Sequence, residues 1–320
     1  MSGWRKKPYR YVFGAAAALS IGATVASASF SDRQRSAVAI PAGTKVIAVG
    51  HRGVKAFAPE NTLAAQNIAI AMGARSIEMD IRMTKDGEFV VMHDPLVNRT
   101  TNGSGFVSQL TLAEIKALDA GFWFSPAFAG ETVPTLREAL RNIKGRAAPD
   151  IDFKAGPKNS AELIARILDE EGFDDGSLVT VFVRAWDYEK IRRLPARYRL
   201  RANFRVTGKV RDIAGNDGAP IFGVRQEGVR PNVAHRIAAE GYTLFSNAMG
   251  ASDNDTGYTA SLQAGARFIQ TDRLDRLTPY LKARGLLLDC LPARDLTCFD
   301  AEKPATIQVA ASDRGRVASQ

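Results

Sequence analysis

Short runs rich in β-branched and apolar residues alternate with stretches of helical periodicity along most of the chain. The runs are "KVIAVG", "IEMDI", "DIDFK", "LVTVFV", "YRLRANF", "APIFGV", "YTLFSNA" and "RFIQTD". Amphipathic segments such as "TLAAQNIAIAMG", "SAELIARILDEEG", "VAHRIAAEG" and "LTPYLKARG" fall between many of them. That alternation predicts a parallel α/β fold. A further apolar run, "EFVVMHD", is separated from "IEMDI" only by the polar "RMTKDGE", which carries the turn signal Asp86-Gly87. A parallel crossover needs roughly a dozen residues or more, so this run is predicted to return antiparallel, as a hairpin on the second strand. The eight remaining runs predict a TIM (β/α)8 barrel over residues 45–300, with a doubly wound open sheet as the competing architecture.

Residues 95–130 contain the turn-rich "NRTTNGSGFVSQ" and a helical "LTLAEIKALDAG". They are expected to form a small insertion after the hairpin, covering one mouth of the barrel. Residues 301–320 show no periodicity and are expected to be a disordered tail, and residues 29–44 read as a linker.

The first 28 residues differ from the rest. A basic head, "MSGWRKKPYR", precedes an apolar, alanine-rich run that ends in the small residues "ASA", which reads as a secretory signal peptide and implies a periplasmic or secreted protein. The competing reading is an uncleaved N-terminal anchor, although the run is only weakly apolar against the ~20 residues of a spanning helix. With the signal removed, no stable membrane span is expected. Arg5, Lys6, Lys7 and Arg10 account for four of the nine excess positive charges, which leaves a mature net charge of +5. This modest excess does not argue for nucleic acid, but it would attract an anionic substrate or lipid surface. Cys290 and Cys298, the two cysteines, could close a small loop in an exported protein or remain as two unpaired thiols. With three histidines in the chain and none near these cysteines, a structural zinc site is not expected.

Catalytic groups of a barrel gather at the C-terminal ends of its strands and in the loops that follow. His51 and Arg52 immediately follow "VIAVG". Glu78 and Asp80 lie two apart on the second strand, and Asp152 and Lys154 repeat the spacing on the next, so each pair faces one side of the sheet. Carboxylates gathered so closely repel one another unless a cation neutralises them, and oxygen ligands suit a hard divalent metal, Mg²⁺ or Ca²⁺. The predicted hairpin returns His93 to the level of these carboxylates. Two imidazoles can serve as acid and base for one bond cleavage, and Arg52 and Lys154 supply charge suited to a phosphate. The combination fits phosphoryl transfer. His235, in "VAHRIAAEG", reads as a helix-surface residue without a role.

At these residues the chain resembles the glycerophosphodiester phosphodiesterase family. "GHRG", "APENT", "IEMDIRMTKDGEFVVMHD", "NRTTNGSG" and "VPTLREAL" match its N-terminal motif set in order and spacing, and "GARFIQTD" extends the match near the C-terminus. The resemblance implies a metal-dependent TIM barrel that hydrolyses small-molecule glycerophosphodiesters to glycerol 3-phosphate and an alcohol. It implies acid/base roles for His51 and His93, metal ligation by Glu78 and Asp80, phosphate contacts from Arg52 and Lys154, and an orienting role for Glu60 toward Arg52. In the related phosphoinositide-specific phospholipases C a neighbouring hydroxyl of the substrate attacks phosphorus to give a cyclic phosphate, and the resemblance makes a similar route open here. Two positions depart from the family pattern. Asp152 stands where the family usually has Glu, as the third metal ligand, and "YTLFSNAMG" keeps only Phe245 and Asn247 where the family tends to carry a Trp-containing strand. Two other expectations compete: a phospholipase-D-like or -C-like barrel acting on lysolipids, and a secreted protein that captures phosphodiesters without cleaving them.

Overall fold

The computed structural model describes residues 40, 43–174, 176–184, 188–191, 193–203, 221–225 and 242–291. The chain divides into Met1–Ser36 and Ala37–Gln320, and only the second unit contributes described residues. The expected signal segment, most of the linker, the "VAHRIAAEG" helix with His235, Cys298 and the expected tail lie outside them.

In chain order the elements are β1 (Ile47–Gly50), α1 (Leu63–Ala71), β2 (Ser76–Met83), β3 (Phe89–Val91), α2 (Leu112–Lys116), α3 (Leu136–Ile143), β4 (Ala148–Ala155), α4 (Ser160–Glu170), β5 (Thr180–Val183), α5 (Tyr188–Ile191), β6 (Arg199–Asn203), β7 (Ile221–Arg225), β8 (Thr243–Asn247), α6 (Asp255–Gln263), β9 (Ala266–Thr271) and α7 (Leu274–Lys282). The result is an α/β fold around a curled parallel sheet. Parallel pairing runs from β1 through β9, β8, β7, β6, β5 and β4 to β2, and β1 also pairs with β2. Every strand run read from the sequence is a strand in this sheet.

Alternation along the strands sorts the side chains into two apolar groups. Val46, Ala48, Ile77, Met79, Ile81, Ile151, Phe153, Leu244 and Ile269 belong to the larger cluster, which includes the buried faces of α1, α3, α4, α6 and α7. The alternate positions Ile47, Val49, Ala148, Phe245 and Phe268 form a second cluster enclosed by the curl of the sheet. Because the side-chain period of a strand is two, Glu78, Asp80, Asp150, Asp152, Asn247 and Gln270 share that enclosed side.

The hairpin forms as its turn chemistry predicts. Gly87 takes φ +91°, Thr84 N donates to Glu88 O at 2.9 Å, and Ile81, Arg82 and Met83 pair antiparallel with Val91, Val90 and Phe89. One residue further on, Met92 N donates to Asp80 O at 2.8 Å, which sets His93 beside the carboxylate strand. The segment that follows packs around its own apolar cluster of Val97, Val107, Ile115, Ala120 and Val133 against Val90 and Met92 of the hairpin. Capping boxes at Thr111/Glu114 and Thr135/Glu138 fix the starts of α2 and α3.

Beneath the polar end of the sheet lies a buried ion pair. Arg201 Nε and Nη2 donate to Asp150 at 3.0 and 2.8 Å, and Thr180 Oγ1 donates to the same carboxylate at 2.6 Å. The guanidinium lies 4.5 Å from the ring centre of Phe182 and 4.2 Å from that of Phe245. Burial pushes the Asp150 carboxyl up, against the pull of Arg201 and Thr180. Removing one partner strands the other charge in the interior, so Asp150→Ala is expected to lower stability by about 3–5 kcal/mol. Urea denaturation checks this, and a loss below about 1 kcal/mol, the scale of a surface pair, would show that the pair does not hold the interior together.

Candidate active site

The first functional side chains are set by the tight turn that ends β1. A Cβ on Gly50 would meet Gly53 O at 2.2 Å, and one on Gly53 would meet the backbone of Ala65 in α1 at 2.6 Å, so "GHRG" can fold under the helix only with glycine at both positions. Between them Arg52 adopts φ 52°, and Asn61 adopts φ 62° a few residues on. Left-handed backbone at non-glycine residues costs about 1–3 kcal/mol each, and here hydrogen bonds hold it. Asn61 N donates to Arg52 O at 3.0 Å, Arg52 N donates to Glu78 Oε2 at 2.8 Å, and Asn61 Nδ2 donates to Asp80 Oδ2 at 2.8 Å.

The carboxylates come from neighbouring strands in register, with Glu78 opposite Asp150 and Asp80 opposite Asp152. Glu78, Asp80 and Asp152 each offer one oxygen, all within 4.8 Å of one another. Lys154 Nζ stands 2.7 Å from Asp80 Oδ1 and 2.6 Å from Asp152 Oδ2. Arg52 Nε lies 3.2 Å from Asp80 Oδ2, and Arg184 Nη2 lies 3.1 Å from Asp152 Oδ2. Burial pushes the Asp80 carboxyl up, but Lys154 and Arg52 outweigh it and hold the group well below the usual carboxylate range. Glu78 goes the other way: burial, with the charges of Asp80 and Asp152 beside it, raises it well above that range. Asp152 Oδ1 is buried and accepts no hydrogen bond. A set of carboxylate oxygens, one of them orphaned and another hard to ionise, fits a hard divalent cation.

Both histidines hold a carboxylate on Nδ1. His51 Nδ1 lies 2.6 Å from Asp272 Oδ1, and its Nε2 lies 3.9 Å from Glu78 Oε2. Lys55 Nζ reaches the other Asp272 oxygen at 3.1 Å, and Asp253 Oδ2 accepts from Asp272 N at 2.8 Å. Burial lowers the His51 imidazole despite the opposing pull of Asp272. His93 Nδ1 lies 2.7 Å from Asp94 Oδ1, while Arg82 Nε and Nη2 donate to the His93 carbonyl at 2.9 and 2.7 Å. Arg99 then grips Asp94 at 2.6 and 3.2 Å and Glu60 at 2.7 and 2.9 Å. Glu60 in turn accepts from Arg52 Nη1 at 2.8 Å, which is the geometry expected of an orienting residue. The hydrogen bond from Arg99 is the main influence holding Asp94 below the usual carboxylate range.

One cavity of about 260 Å³ gathers this chemistry. His51, Arg52, Glu78, His93, Asp152 and Lys154 line it, so six of the seven residues singled out in the sequence face one space. Asp80, the seventh, is fully buried behind them, in contact with Arg52 and Lys154. Asp94, Arg99, Arg184 and Asp272 were missed. Asp94 and Asp272 carried a usable signal, since each directly follows a histidine or ends a strand run, whereas Arg99 sits in a segment legible only as a loop. Among the described residues no helix is long and apolar enough to cross a membrane.

Comparison with known proteins agrees with this geometry. Residues 51–186 match the model of the Glycerophosphoryl diester phosphodiesterase family. A glycerophosphodiester phosphodiesterase of Bacillus subtilis is 31% identical over 229 residues, covering 64% of this chain and 78% of that protein. One from Caldanaerobacter subterraneus is 43% identical over 143 residues, 43% of this chain and 58% of that protein. The chain spans 56% and 58% of the length of the two relatives it matches at 43% identity over 136 and 143 residues. The crystal structure of glycerophosphodiester phosphodiesterase from Agrobacterium tumefaciens superimposes with a TM-score of 0.64 at 28% identity, covering 72% of this chain and 97% of that one. The family match begins at His51 itself and takes in all seven residues of the site, and a relative is shared over most of its length: the chain belongs to the glycerophosphoryl diester phosphodiesterase family.

Proposed function

We propose that this chain is an exported, metal-dependent hydrolase that cleaves glycerophosphodiesters to glycerol 3-phosphate and an alcohol. One observation carries the reading: two imidazoles, each bonded through Nδ1 to a carboxylate, open on the same cavity as the cationic side chains of Arg52, Lys154 and Arg184 and a cluster of carboxylates. Family membership and the names of the relatives support the substrate class. The basic, then apolar N-terminal sequence supports export to the periplasm or beyond, with the signal removed at about residue 28. The ring of strand pairings supports a complete (β/α)8 barrel over residues 45–300, and the separate apolar cluster supports reading residues 95–130 as an insertion.

In this reading Arg52 and Lys154 bind the phosphate, one as a fork and the other as a point charge. Asp272 and Asp94 hold their imidazoles as Nδ1–H tautomers, which leaves each Nε2 free to exchange a proton with the substrate. One imidazole removes the proton from the attacking oxygen and the other delivers one to the departing alcohol as the phosphorus–oxygen bond breaks. Glu60, gripped by Arg99, keeps the Arg52 guanidinium in place. Glu78, Asp80 and Asp152 would hold a divalent cation, Mg²⁺ or Ca²⁺. When bound, it neutralises charge developing on the phosphoryl oxygens.

Three outcomes test the proposal. His51→Ala and His93→Ala should each abolish glycerophosphodiester hydrolysis while leaving the circular dichroism spectrum unchanged, and near-normal turnover by either variant would defeat the two-imidazole mechanism. Treatment with EDTA should remove activity, which Mg²⁺ or Ca²⁺ then restores; hydrolysis indifferent to chelation would reduce the three carboxylates to a structural cluster. Asp272→Asn, which no longer fixes the Nδ1–H tautomer, should lower kcat by roughly 10²–10⁴-fold. Its KM for glycerophosphocholine should stay near the wild-type value, and a matching rise in KM would point to a binding role for Asp272.

A further inference from the structure

The side of the cavity away from the carboxylates is built differently. Asn247 at the end of β8 and Gln270 near the end of β9 are register partners on neighbouring strands. They stand one step along the enclosed face from Phe245 and Phe268, whose rings stack with centres 5.5 Å apart. Both line the same cavity as His51 and His93. The Oδ1 atom of Asn247 is buried and has no hydrogen-bond partner. Gln270 is 3% exposed, and its side chain makes no hydrogen bond among the described residues. Asn247 is half-buried with its Oδ1 enclosed, and Gln270 is almost wholly buried, so two neighbouring carboxamides keep unspent hydrogen-bonding capacity that is costly unless something in the cavity bonds to them.

We infer that Asn247 and Gln270 form a neutral subsite that reads the vicinal hydroxyls of a phosphate-linked polyol. A carboxamide carries no charge and offers both an acceptor and two donors, which matches a hydroxyl that both gives and takes a hydrogen bond. A phosphate finds Arg52, Lys154 and Arg184 on the other wall, and an ammonium finds Glu78 and Asp152. Arg201, a further cation on the lining, is paired with Asp150, so the cavity offers charge for the phosphodiester and two neutral carboxamides for the polyol. Sites that hydrogen-bond a substrate hydroxyl discriminate strongly against the analogue lacking it, because their own buried groups are then left unpaired.

The inference rests on the proposed glycerophosphodiester activity, and the test separates the two. Wild-type enzyme, Asn247→Leu and Gln270→Met are compared by inhibition with glycerol 3-phosphate and with n-propyl phosphate, which keeps the phosphate and chain length but lacks both hydroxyls. Their KM values are compared on glycerophosphocholine, whose diol lies on one side of the phosphate, and on glycerophosphoglycerol, which has a diol on each. Each variant should bind glycerol 3-phosphate about tenfold more weakly, the scale of one lost buried hydrogen bond, with n-propyl phosphate unaffected. That result places the subsite on the glycerol retained with phosphate. A rise in KM confined to glycerophosphoglycerol places it on the departing alcohol and supports the same chemistry. Equal weakening of both inhibitors, or no change on any ligand, overturns the subsite. Gln270→Met keeps the length and bulk of the side chain, and an unchanged melting temperature shows that lost binding is not lost folding. Wild-type enzyme that cleaves neither substrate overturns the activity itself, whatever the variants do.

Discussion

Three carboxylates on adjacent strands stand with oxygens within 4.8 Å of one another, and the surrounding charges are arranged to make that tolerable. Asp80 is contacted by Arg52 and Lys154, and Asp152 by Lys154 and Arg184. From Arg52 the alternation of sign continues through Glu60, Arg99 and Asp94 to the His93 imidazole. Each charged member is oriented by the opposite charges next to it, so Arg52 and the His93 imidazole belong to a single chain of ion pairs and hydrogen bonds. Glu78 is the exception. Among the described residues it has no lysine or arginine side chain at ion-pair distance, only the Arg52 backbone N–H and the distant His51 Nε2. Burial and the neighbouring charges of Asp80 and Asp152 raise its carboxyl, and it is the group whose charge a bound cation would do most to support.

The two imidazoles are held in place from opposite directions. His93 arrives on the hairpin, and its Asp94 is neutralised by Arg99. His51 follows β1, and its Asp272 comes from the other end of the chain, just after β9. Pairing of β1 with both β2 and β9 brings these pieces together. Asp272 is itself fixed from behind, because Asp253 accepts its backbone N–H and also accepts from Tyr258 and Thr271. The position of the His51 imidazole therefore depends on the pairing of β1 with β2 and β9, whereas that of His93 depends on the register of one hairpin.

This difference explains what could be read from the sequence. Glu78, Asp80, Asp152 and Lys154 were legible because a strand's period of two fixes their common face without any tertiary information. His93 was legible because a connection as short as "RMTKDGE" permits only an antiparallel return, and Met92 N bonded to Asp80 O is the outcome. Asp272 was not read as a partner of His51, since contacts between residues so far apart in sequence arise from closure and not from local pattern. Arg99 was hidden for another reason. The run "NRTTNGSG" signals a turn, and nothing local says that one arginine in it will bridge Asp94 and Glu60. Arg184 escaped because its partner, Asp152, lies on a neighbouring strand and the pair has no sequence spacing to recognise.

The same period also sorts the cavity walls. On β2 and β4 the positions that continue the enclosed face beyond the apolar layer are carboxylates and a lysine, while on β8 and β9 they are carboxamides. Beneath Asn247 and Gln270 the stacked rings of Phe245 and Phe268 present an apolar layer, against which the Asp150-paired Arg201 guanidinium lies. The ion pair of Asp150 with Arg201 performs the corresponding task below Asp152, filling the interior with a neutralised polar pair. A ligand spanning the cavity would thus meet charge on one side and uncharged hydrogen-bonding groups on the other. This division follows from which residue types occupy the last inward position of each strand. It would survive large changes in the surrounding loops but not a one-residue shift in the register of β8 or β9, which would turn Asn247 or Gln270 out of the cavity.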